Sequence, residues 1–421
     1  MTSTPSPSAV SAALNDLHDT ILDWVVTLLR TPSVTGNEAA AQAVVATILG
    51  ELGLEVDVFV PDESLRTHPT FSDDGLPITR PVVVARRPGS MAGAKSVIFN
   101  GHIDVVPTGD EALFPHGAWT GAIKDDVLWG RGACDMKGGL VSAIAGVAAL
   151  NHLGVDVPGD ILIQSVTGEE SGGIGTLAAV ERGYRADAAI IFEPTTLTVC
   201  PVGAGSASFR LHVAGLAAHG ARRSHGVSAI EKFFPLQQAL NRYEQQRHSV
   251  FKHPAYTKNE VVAPISVGVI SAGDWPSTVP DLLVAEGRAG VLPGESLAEA
   301  RAEFESVIAT AAEQDEWLTA HPPRVEWFEG QFEPADTPLD SALVGHLASL
   351  HNQVLGNQPP VEGVTYGSDL RFFTNNAAMP AVLYGPGDVD VAHTVSEHLA
   401  LDELFAAAQV AAHFGATWGT T

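Results

Sequence analysis

Hydrophobic residues in this chain occur in two patterns, short unbroken runs and longer stretches with helical spacing. Five runs are almost wholly apolar, which is typical of strands covered on both faces of a largely parallel sheet. These runs are Pro81–Ala85, Ser96–Phe99, Ile161–Val166, Ala188–Phe192 and Ala381–Tyr384. Helices are predicted at Asp16–Leu29, Asn37–Leu52, Gly138–Leu153, Leu339–Leu355 and Leu401–Trp418. The sequence therefore predicts an α/β fold, a mostly parallel sheet flanked by helices.

The pattern changes between about Ala204 and Gly330. Here a half-exposed strand is followed by an amphipathic helix, two strands, a charged helix and a last strand. The predicted ranges are Ser206–Ala214, Val227–Gln246, Ile265–Ser271, Leu282–Val291, Leu297–Asp315 and Arg324–Phe328. This order is typical of a ferredoxin-like α+β domain. We therefore predict that residues 205–330 form an inserted domain within an α/β domain made of residues 1–204 and 331–421.

Length and charge narrow the class of protein. The chain has 421 residues and is 45% hydrophobic, so it is too apolar for disorder and too long for one core of about 250–300 residues. It carries 49 acidic and 23 basic residues, a formal charge of −26. Such a charge disfavours binding to nucleic acid or to an anionic membrane surface. The charge implies solubility and says nothing about the fold.

Cysteine content and the N-terminus favour a cytoplasmic protein. Two cysteines, Cys134 and Cys200, are too few for a disulfide framework or a thiolate zinc site. The first twenty residues have neither a basic start nor an apolar core, so they do not resemble a signal peptide. Apolar stretches such as Leu140–Leu150 are shorter than the ~20 residues that span a bilayer. No membrane span is predicted.

Polar clusters separate the apolar elements. In chain order they are Asn100–Asp104, Gly130–Gly139, Thr167–Gly173, Glu193–Thr195 and Gly387–His393. Because the carboxyl ends of parallel strands form the ligand crevice of an open sheet, we expect these clusters to converge. Histidine and several carboxylates at one crevice are the donors of a divalent-metal site.

The spacing within the clusters indicates individual roles. His102 and Asp104 lie two apart on extended chain, which suits a carboxylate that orients a liganding imidazole. Of the adjacent acids Glu169 and Glu170, one can bind metal while the other acts as general base. Each residue alone also has a structural explanation, such as a helix N-cap for Asp135. Their joint occurrence in one domain favours the metal site.

These motifs resemble a known enzyme family. NGHIDVVP, GRGACDMKGG, TGEESGG and FEPT, followed by the late histidine of GPGDVDVAHTVSEH, are similar to the co-catalytic zinc aminoacylase and carboxypeptidase family. That family includes acetylornithine deacetylase, succinyl-diaminopimelate desuccinylase, aminoacylase-1 and glutamate carboxypeptidase. The resemblance runs from about Ile21 to Phe414, with the motifs in the family's order.

The resemblance implies a site for two zinc ions in each subunit, with cobalt able to substitute. The implied ligands are His102 and Glu193 for one zinc, Glu170 and His393 for the other, and Asp135 as the bridge between them. Asp104 would orient His102, and Glu169 would be the general acid and base. The resemblance also implies a cis peptide bond between Asp135 and Met136.

The resemblance further implies that the inserted domain is a lid through which the protein forms a homodimer. His219, in GLAAHGARRSHGVSAIEK, would reach the partner's site and stabilise the oxyanion. Arg288 in EGRAGVLPGE and Arg371 in GSDLRFF match positions that bind the substrate carboxylate; surface salt bridges are the alternative for both. Thr278 departs from the family, because many relatives have asparagine there. This favours the acetylornithine-deacetylase-like branch, which also holds formylaminopyrimidine deformylases.

The function we expect is hydrolysis of the amide bond of a small N-acyl amino acid or related N-acyl amine, giving a carboxylate and a free amine. A dipeptidase or carboxypeptidase of the same family is the nearest alternative. A non-catalytic metal-binding relative is disfavoured because Glu169 is intact. A phosphoryl-transfer metalloenzyme is disfavoured by the charge of −26 and by the lack of a phosphate loop.

Overall fold

The computed structural model describes residues 4–258 and 261–420, which include ten α-helices and eighteen strands. The helices are α1 (Pro7–Asp16), α2 (His18–Leu29), α3 (Ala39–Glu51), α4 (Gly138–His152), α5 (Ile174–Glu181), α6 (Ala229–Val250), α7 (Leu297–Ala312), α8 (Glu316–Ala320), α9 (Ala342–Leu355) and α10 (Leu401–Thr417). The strands are β1 (Glu55–Phe59), β2 (Val82–Arg87), β3 (Val97–His102), β4 (Ala122–Lys124), β5 (Val127–Trp129), β6 (Ile161–Val166), β7 (Ala189–Ile191), β8 (Val199–Gly203), β9 (Gly205–Ala214), β10 (Ala218–His219), β11 (Ile265–Ala272), β12 (Thr278–Val279), β13 (Leu282–Val291), β14 (Arg324–Phe332), β15 (Ala335–Asp336), β16 (Val361–Val364), β17 (Ala381–Leu383) and β18 (His398–Ala400).

A nine-stranded sheet forms the centre of the molecule. Its order is β1-β2-β6-β3-β7-β17-β8-β15, with β16 paired to β8. The four central strands β6, β3, β7 and β17 are parallel, as predicted. The outer pairs β1–β2, β2–β6, β17–β8 and β15–β8 are antiparallel, so the whole sheet is mixed. The apolar run Pro81–Ala85 forms the buried strand β2, but this strand is antiparallel to both of its neighbours. An unbroken apolar run indicates that both faces of a strand are buried and does not indicate the direction of the strand.

Helices cover this sheet, and α4 is the most deeply buried of them. Its residues from Gly138 to Leu150 are all buried, and it packs closely against α10. Gly146 is required at this contact, because a Cβ there would lie 2.8 Å from the backbone oxygen of Ala408. The stretch Ala133–His152 is long and apolar enough to cross a membrane by length and composition, but 94% of its most apolar window is buried inside the protein. Such burial is typical of a helix in the core of a protein.

The N-terminal segment differs from the prediction. A single helix was expected to begin at Asp16, but an additional helix, α1, precedes it. Ser6 caps α1 by accepting a hydrogen bond from the Ala9 N–H, and a proline occupies the first turn. The serine and proline residues at the start of the chain are therefore a signal for the beginning of a helix, which the sequence analysis did not recognise.

A second, four-stranded antiparallel sheet has the order β11-β13-β9-β14. Its elements follow the predicted ferredoxin-like sequence, with α6 and α7 packed against the strands. Phe209, Leu236, Leu283 and Phe304 belong to a separate hydrophobic cluster under these helices. The division of the chain at residues 204 and 330 stays a prediction, and β14 itself continues to Phe332.

Candidate metal centre

The polar clusters meet at one end of the central sheet. His102 ends β3, the acids Glu169 and Glu170 follow β6, and Glu193 follows β7. A cavity of about 410 Å³ opens beside them. One part of its lining, the acidic wall, consists of Asp135, Glu169, Glu170, Glu193 and His393. Another part, the donor wall, consists of Ser206, Ser208, Arg288 and Tyr366 from the four-stranded sheet and the segment after β16.

Asp135 lies between two histidines. Its Oδ1 atom is 3.0 Å from Nε2 of His102, and its Oδ2 atom is 3.2 Å from Nε2 of His393. Glu193 Oε1 lies 3.9 Å from the His102 nitrogen, and Glu170 Oε2 lies 3.2 Å from the His393 nitrogen. Two groups, each a histidine with a glutamate, are thus arranged around one shared carboxylate. The peptide bond between Asp135 and Met136 is cis.

Four acidic side chains crowd this end of the cavity, with two histidines to balance them. Burial raises the pKa of Glu193 to about 8 and raises the pKa of Glu169 well above its usual value. Burial also opposes ionisation of Asp135, but hydrogen bonds from His102 and His393 outweigh it and lower its pKa. Hydrogen bonds to Asp135 and Glu170 raise the pKa of His393 to about 10. Such a concentration of negative charge suits a cation.

The residues fit a divalent metal in donor type and in spacing. Ligand atoms of His102, Asp135 and Glu170 lie within 4.8 Å of one another. The same holds for His102, Glu169 and Glu193. Imidazole nitrogen and carboxylate oxygen are ligands that zinc and similar ions accept. The second set includes Glu169, which the sequence assigns to acid–base chemistry and not to metal binding.

Asp104 acts differently from the prediction. The Nδ1 atom of His102 lies 2.8 Å from the backbone oxygen of Asp104, whereas the nearest carboxylate oxygen of Asp104 is 3.8 Å away. The Asp104 carboxylate instead accepts hydrogen bonds from the Glu169 N–H at 3.1 Å and the Glu170 N–H at 3.2 Å. The Asp104 backbone therefore orients His102, and its side chain positions the turn that carries both glutamates.

Glu397 is a supporting residue that the sequence analysis missed. One of its oxygens accepts hydrogen bonds from the backbone N–H groups of Gly132, Cys134 and Asp135 at 2.9–3.2 Å. The other oxygen pairs with buried Arg131. Glu397 therefore fixes the backbone of the bridging Asp135. Its position four residues after His393, inside the quoted motif, was the available signal.

Arg288 reaches the cavity, as predicted for a substrate contact. Its guanidinium donates to the backbone oxygen of Thr365 at 3.2 Å. Among the described residues it forms no ion pair with a carboxylate, and burial lowers its pKa. An unpaired, largely buried cation at a cavity wall is costly unless a ligand supplies the counter-charge.

Arg371 does not face the cavity, which corrects its prediction as a substrate ligand. It is 1% exposed, and its guanidinium donates to the backbone oxygens of Gly172 at 2.7 Å and Ser368 at 3.2 Å. The rings of Phe332 and Phe372 lie 4.3 Å and 4.2 Å from the guanidinium carbon. Arg371 therefore supports the loop that follows Glu170.

His219 lies away from this centre in the single chain. It is exposed on the short strand β10, where it pairs with Thr278 of β12. Its Nδ1 atom accepts a hydrogen bond from the Ala221 N–H at 3.1 Å, and it is not among the residues that line the cavity. Within one chain, the predicted oxyanion contact is not formed.

Comparison with known proteins supports the same chemistry. Residues 98–416 match the model of peptidase family M20/M25/M40. The chain is 30% identical over 413 residues to N-formyl-4-amino-5-aminomethyl-2-methylpyrimidine deformylase of Halalkalibacterium halodurans, covering 91% of each chain. Its fold is similar to that of the dipeptidase Dug1p of Saccharomyces cerevisiae (TM-score 0.79, 16% identity, 100% of each chain). It is also similar to a dinuclear metal-binding peptidase of Bacillus subtilis (TM-score 0.61, 17% identity, 96% of this chain and 98% of the other).

Proposed function

The chain belongs to peptidase family M20/M25/M40 and is a metal-dependent amide-bond hydrolase, and we propose that its substrate is a small N-acyl amino acid or related N-acyl amine. The observation that carries this proposal is the placement of Asp135, whose two oxygens each face a different histidine. A glutamate accompanies each histidine at the edge of a cavity. This arrangement suits the hydrolysis of a small amide.

The metal content that we propose is two zinc ions per chain. His102 and Glu193 would hold one ion, Glu170 and His393 the other, and Asp135 would bridge them. A solved relative of the same fold is described as dinuclear, which supports the number but not the identity of the metal. When bound, such ions supply Lewis acidity and lower the pKa of water.

Glu169 is the group that we assign to proton transfer. Water adds its oxygen to the amide carbon, the carbon–nitrogen bond breaks, and Glu169 carries the water's proton to the leaving nitrogen. The products are a carboxylate and an amine. Glu169 suits this task because it lines the cavity. Burial first, then neighbouring acids, raises its pKa above its usual value, which makes its carboxylate a stronger proton acceptor.

Arg288 favours a substrate with an anionic group. Its guanidinium has no carboxylate partner among the described residues, and the carboxylate of an N-acyl amino acid would supply the missing counter-charge. The curated relative is named for a neutral formamide of an aminomethylpyrimidine, a name that contains no acid group. The deformylase activity of that relative is therefore our second candidate, and dipeptide hydrolysis is the third.

We also propose a cytoplasmic homodimer in which His219 serves the neighbouring chain's site. Two observations support this proposal. His219 is exposed and lies outside the cavity of its own chain. The strand β11 lies at the edge of its sheet and exposes 55% of Val269 and 53% of Ile270, and such apolar edges are commonly covered by a partner.

An amine-release screen tests the proposed function. The substrates are N-acetyl, N-formyl and N-succinyl amino acids, dipeptides and the formylated aminomethylpyrimidine, each with added zinc or cobalt. We expect turnover with at least one N-acyl amino acid and loss of turnover after chelation. Hydrolysis of the pyrimidine formamide alone would replace our first candidate with the second. No amine release from any of these compounds would contradict all three candidate activities.

A further inference from the structure

The phenol of Tyr366 is a buried polar group in the cavity that the proposed chemistry does not yet use. Its ring lines the cavity beside Glu193 and Arg288. Its Oη atom is buried and has no hydrogen-bond partner among the described residues. Leaving a hydroxyl without a partner inside a protein is energetically costly. A group kept in that state is expected to find its partner in a ligand.

The segment that carries Tyr366 is held in place from three directions. The backbone oxygen of Val364 accepts hydrogen bonds from the Ala204 N–H at 3.0 Å and from the Tyr256 hydroxyl at 2.7 Å. The next carbonyl, that of Thr365, accepts from Arg288. These bonds fix the backbone immediately before Tyr366. Tyr366 is therefore held at the cavity lining by a preorganised support.

The surroundings of the phenol decide its protonation state. Burial, followed by the charges of Glu193, Cys200 and Asp135, raises the pKa of Tyr366 well above its usual value. The side chain therefore stays protonated and offers one O–H donor. Glu193 and Asp135 also belong to the proposed metal centre, so the phenol lies within electrostatic reach of that centre.

We propose that Tyr366 is a catalytic residue whose O–H donates a hydrogen bond to the acyl oxygen of the scissile amide as that oxygen gains negative charge. This assignment rests on the proposed amide hydrolysis. The tetrahedral oxyanion is the species in this reaction that most needs a donor from the chain itself. Arg288 is less suited to this task, since its guanidinium already bonds the Thr365 carbonyl and is reserved for the substrate's anionic group.

Tyr366→Phe tests the assignment, because it removes only the hydroxyl. We expect kcat/KM to fall by about 10²–10³, the usual effect of losing one oxyanion donor, with KM nearly unchanged. Metal content should equal that of the wild-type protein. Tyr243→Phe is the matched control: it removes the same atom from a phenol that bonds Glu303 and does not line the cavity, and we expect a loss of less than about tenfold.

Binding of an alkylboronic acid provides a measurement without turnover. On adding hydroxide in the site, this trigonal acid becomes a tetrahedral anion that resembles the oxyanion. The zinc-loaded wild-type protein should bind it at least about tenfold more tightly than Tyr366→Phe does. Equal boronate affinities, or equal losses of kcat/KM in the two phenylalanine variants, would overturn the assignment of Tyr366. A wild-type protein that binds the boronate with Tyr366-dependent affinity but releases no amine would contradict the proposed function and leave Tyr366 as an oxyanion donor.

Discussion

The two walls of the cavity differ in how far their polar groups are satisfied by the protein itself. On the acidic wall, the Asp135 carboxylate has two histidine partners, and three backbone N–H groups around it are held by Glu397. On the donor wall, Arg288 has no counter-charge and the Tyr366 hydroxyl has no partner among the described residues. The polar groups of the acidic wall are therefore satisfied by the protein, whereas those of the donor wall can be satisfied by a ligand.

This difference matches the tasks that we propose for the two walls: the acidic wall holds the metal ligands, and the donor wall contacts the substrate. The acidic wall is fixed by the ends of buried central strands and by backbone hydrogen bonds, as precise placement of metal ligands requires. The donor wall comes from the four-stranded sheet and the segment after β16, and its unpaired groups define what the substrate must bring. Changes to the acidic wall should therefore remove activity altogether. On the donor wall, a change at Arg288 should alter which substrate is used, whereas loss of the Tyr366 hydroxyl should slow the reaction of every substrate.

Glu169→Gln should have the largest effect, because it removes the proton carrier and leaves the proposed metal ligands intact. We expect turnover to fall by about 10²–10⁴ with an unchanged metal content. Steady-state kinetics with metal analysis of the same sample measures both. Glu181→Gln, at the exposed end of α5, is the matched control and should stay active. Loss of metal from the Glu169 variant would make Glu169 a ligand, and near-normal turnover would remove it from the mechanism.

Metal affinity should depend steeply on pH. Burial raises the pKa of Glu193 to about 8 in the metal-free protein, so this carboxyl is protonated below that pH and must lose its proton to bind a metal. Affinity should therefore rise with pH, by about 50-fold from pH 6 to pH 8 for the Glu193 proton alone. The rise should be steeper still because His393, whose pKa is about 10, must also lose a proton to bind a metal. Competition with a chromophoric chelator at three pH values measures this slope. An affinity that is constant over the same range would contradict the protonated state.

Arg288→Met should change the choice of substrate. An N-acyl amino acid loses a charged hydrogen bond worth about 1.5–3 kcal/mol, so its KM should rise by about 10–100-fold. A neutral N-acyl amine should keep its KM. Kinetics with one substrate of each kind, matched in the acyl group, makes the comparison. Equal losses for both would mean that Arg288 supports the fold of the donor wall and does not read the substrate.

Arg371→Met is the companion variant that tests the corrected role of this arginine. Because Arg371 bonds two backbone carbonyls and is enclosed by two phenylalanine rings, its loss should lower the midpoint of thermal unfolding. The KM of the folded fraction should stay close to the wild-type value. A selective rise in KM for carboxylate substrates would restore Arg371 as a substrate ligand.

The sequence predicted the elements and the acidic wall well because both depend on local patterns. The run Ile161–Val166 is a strand with the predicted bounds, and the polar residues after it lie where parallel strands end. A strand that is buried on both faces has consecutive apolar residues, so it can be recognised from the sequence. The same logic misled at β2, since its apolar run does not encode the direction of its neighbour.

The roles that sequence reasoning missed depend on contacts between distant segments. Whether the backbone or the carboxylate of Asp104 meets His102 depends on the path of the chain after β3. Glu397 meets the Asp135 loop across 262 positions of sequence. Arg371 is buried because Phe332 packs over it from a strand of the other sheet. Contacts of this kind cannot be predicted from the pattern of neighbouring residues.

His219 offers the last test, in which the expected signal is the return of only part of the activity. It asks whether a neighbouring chain completes the donor wall. Separately, His219→Ala and Glu169→Gln homodimers should each be nearly inactive. A mixed dimer would hold one site with both defects and one site with neither, provided that His219 serves the partner's site. Random reassortment of equal amounts gives about half mixed dimers, so about a quarter of wild-type activity should return. Native mass spectrometry confirms the exchange, and an exchanged mixture that stays inactive would confine His219 to its own chain.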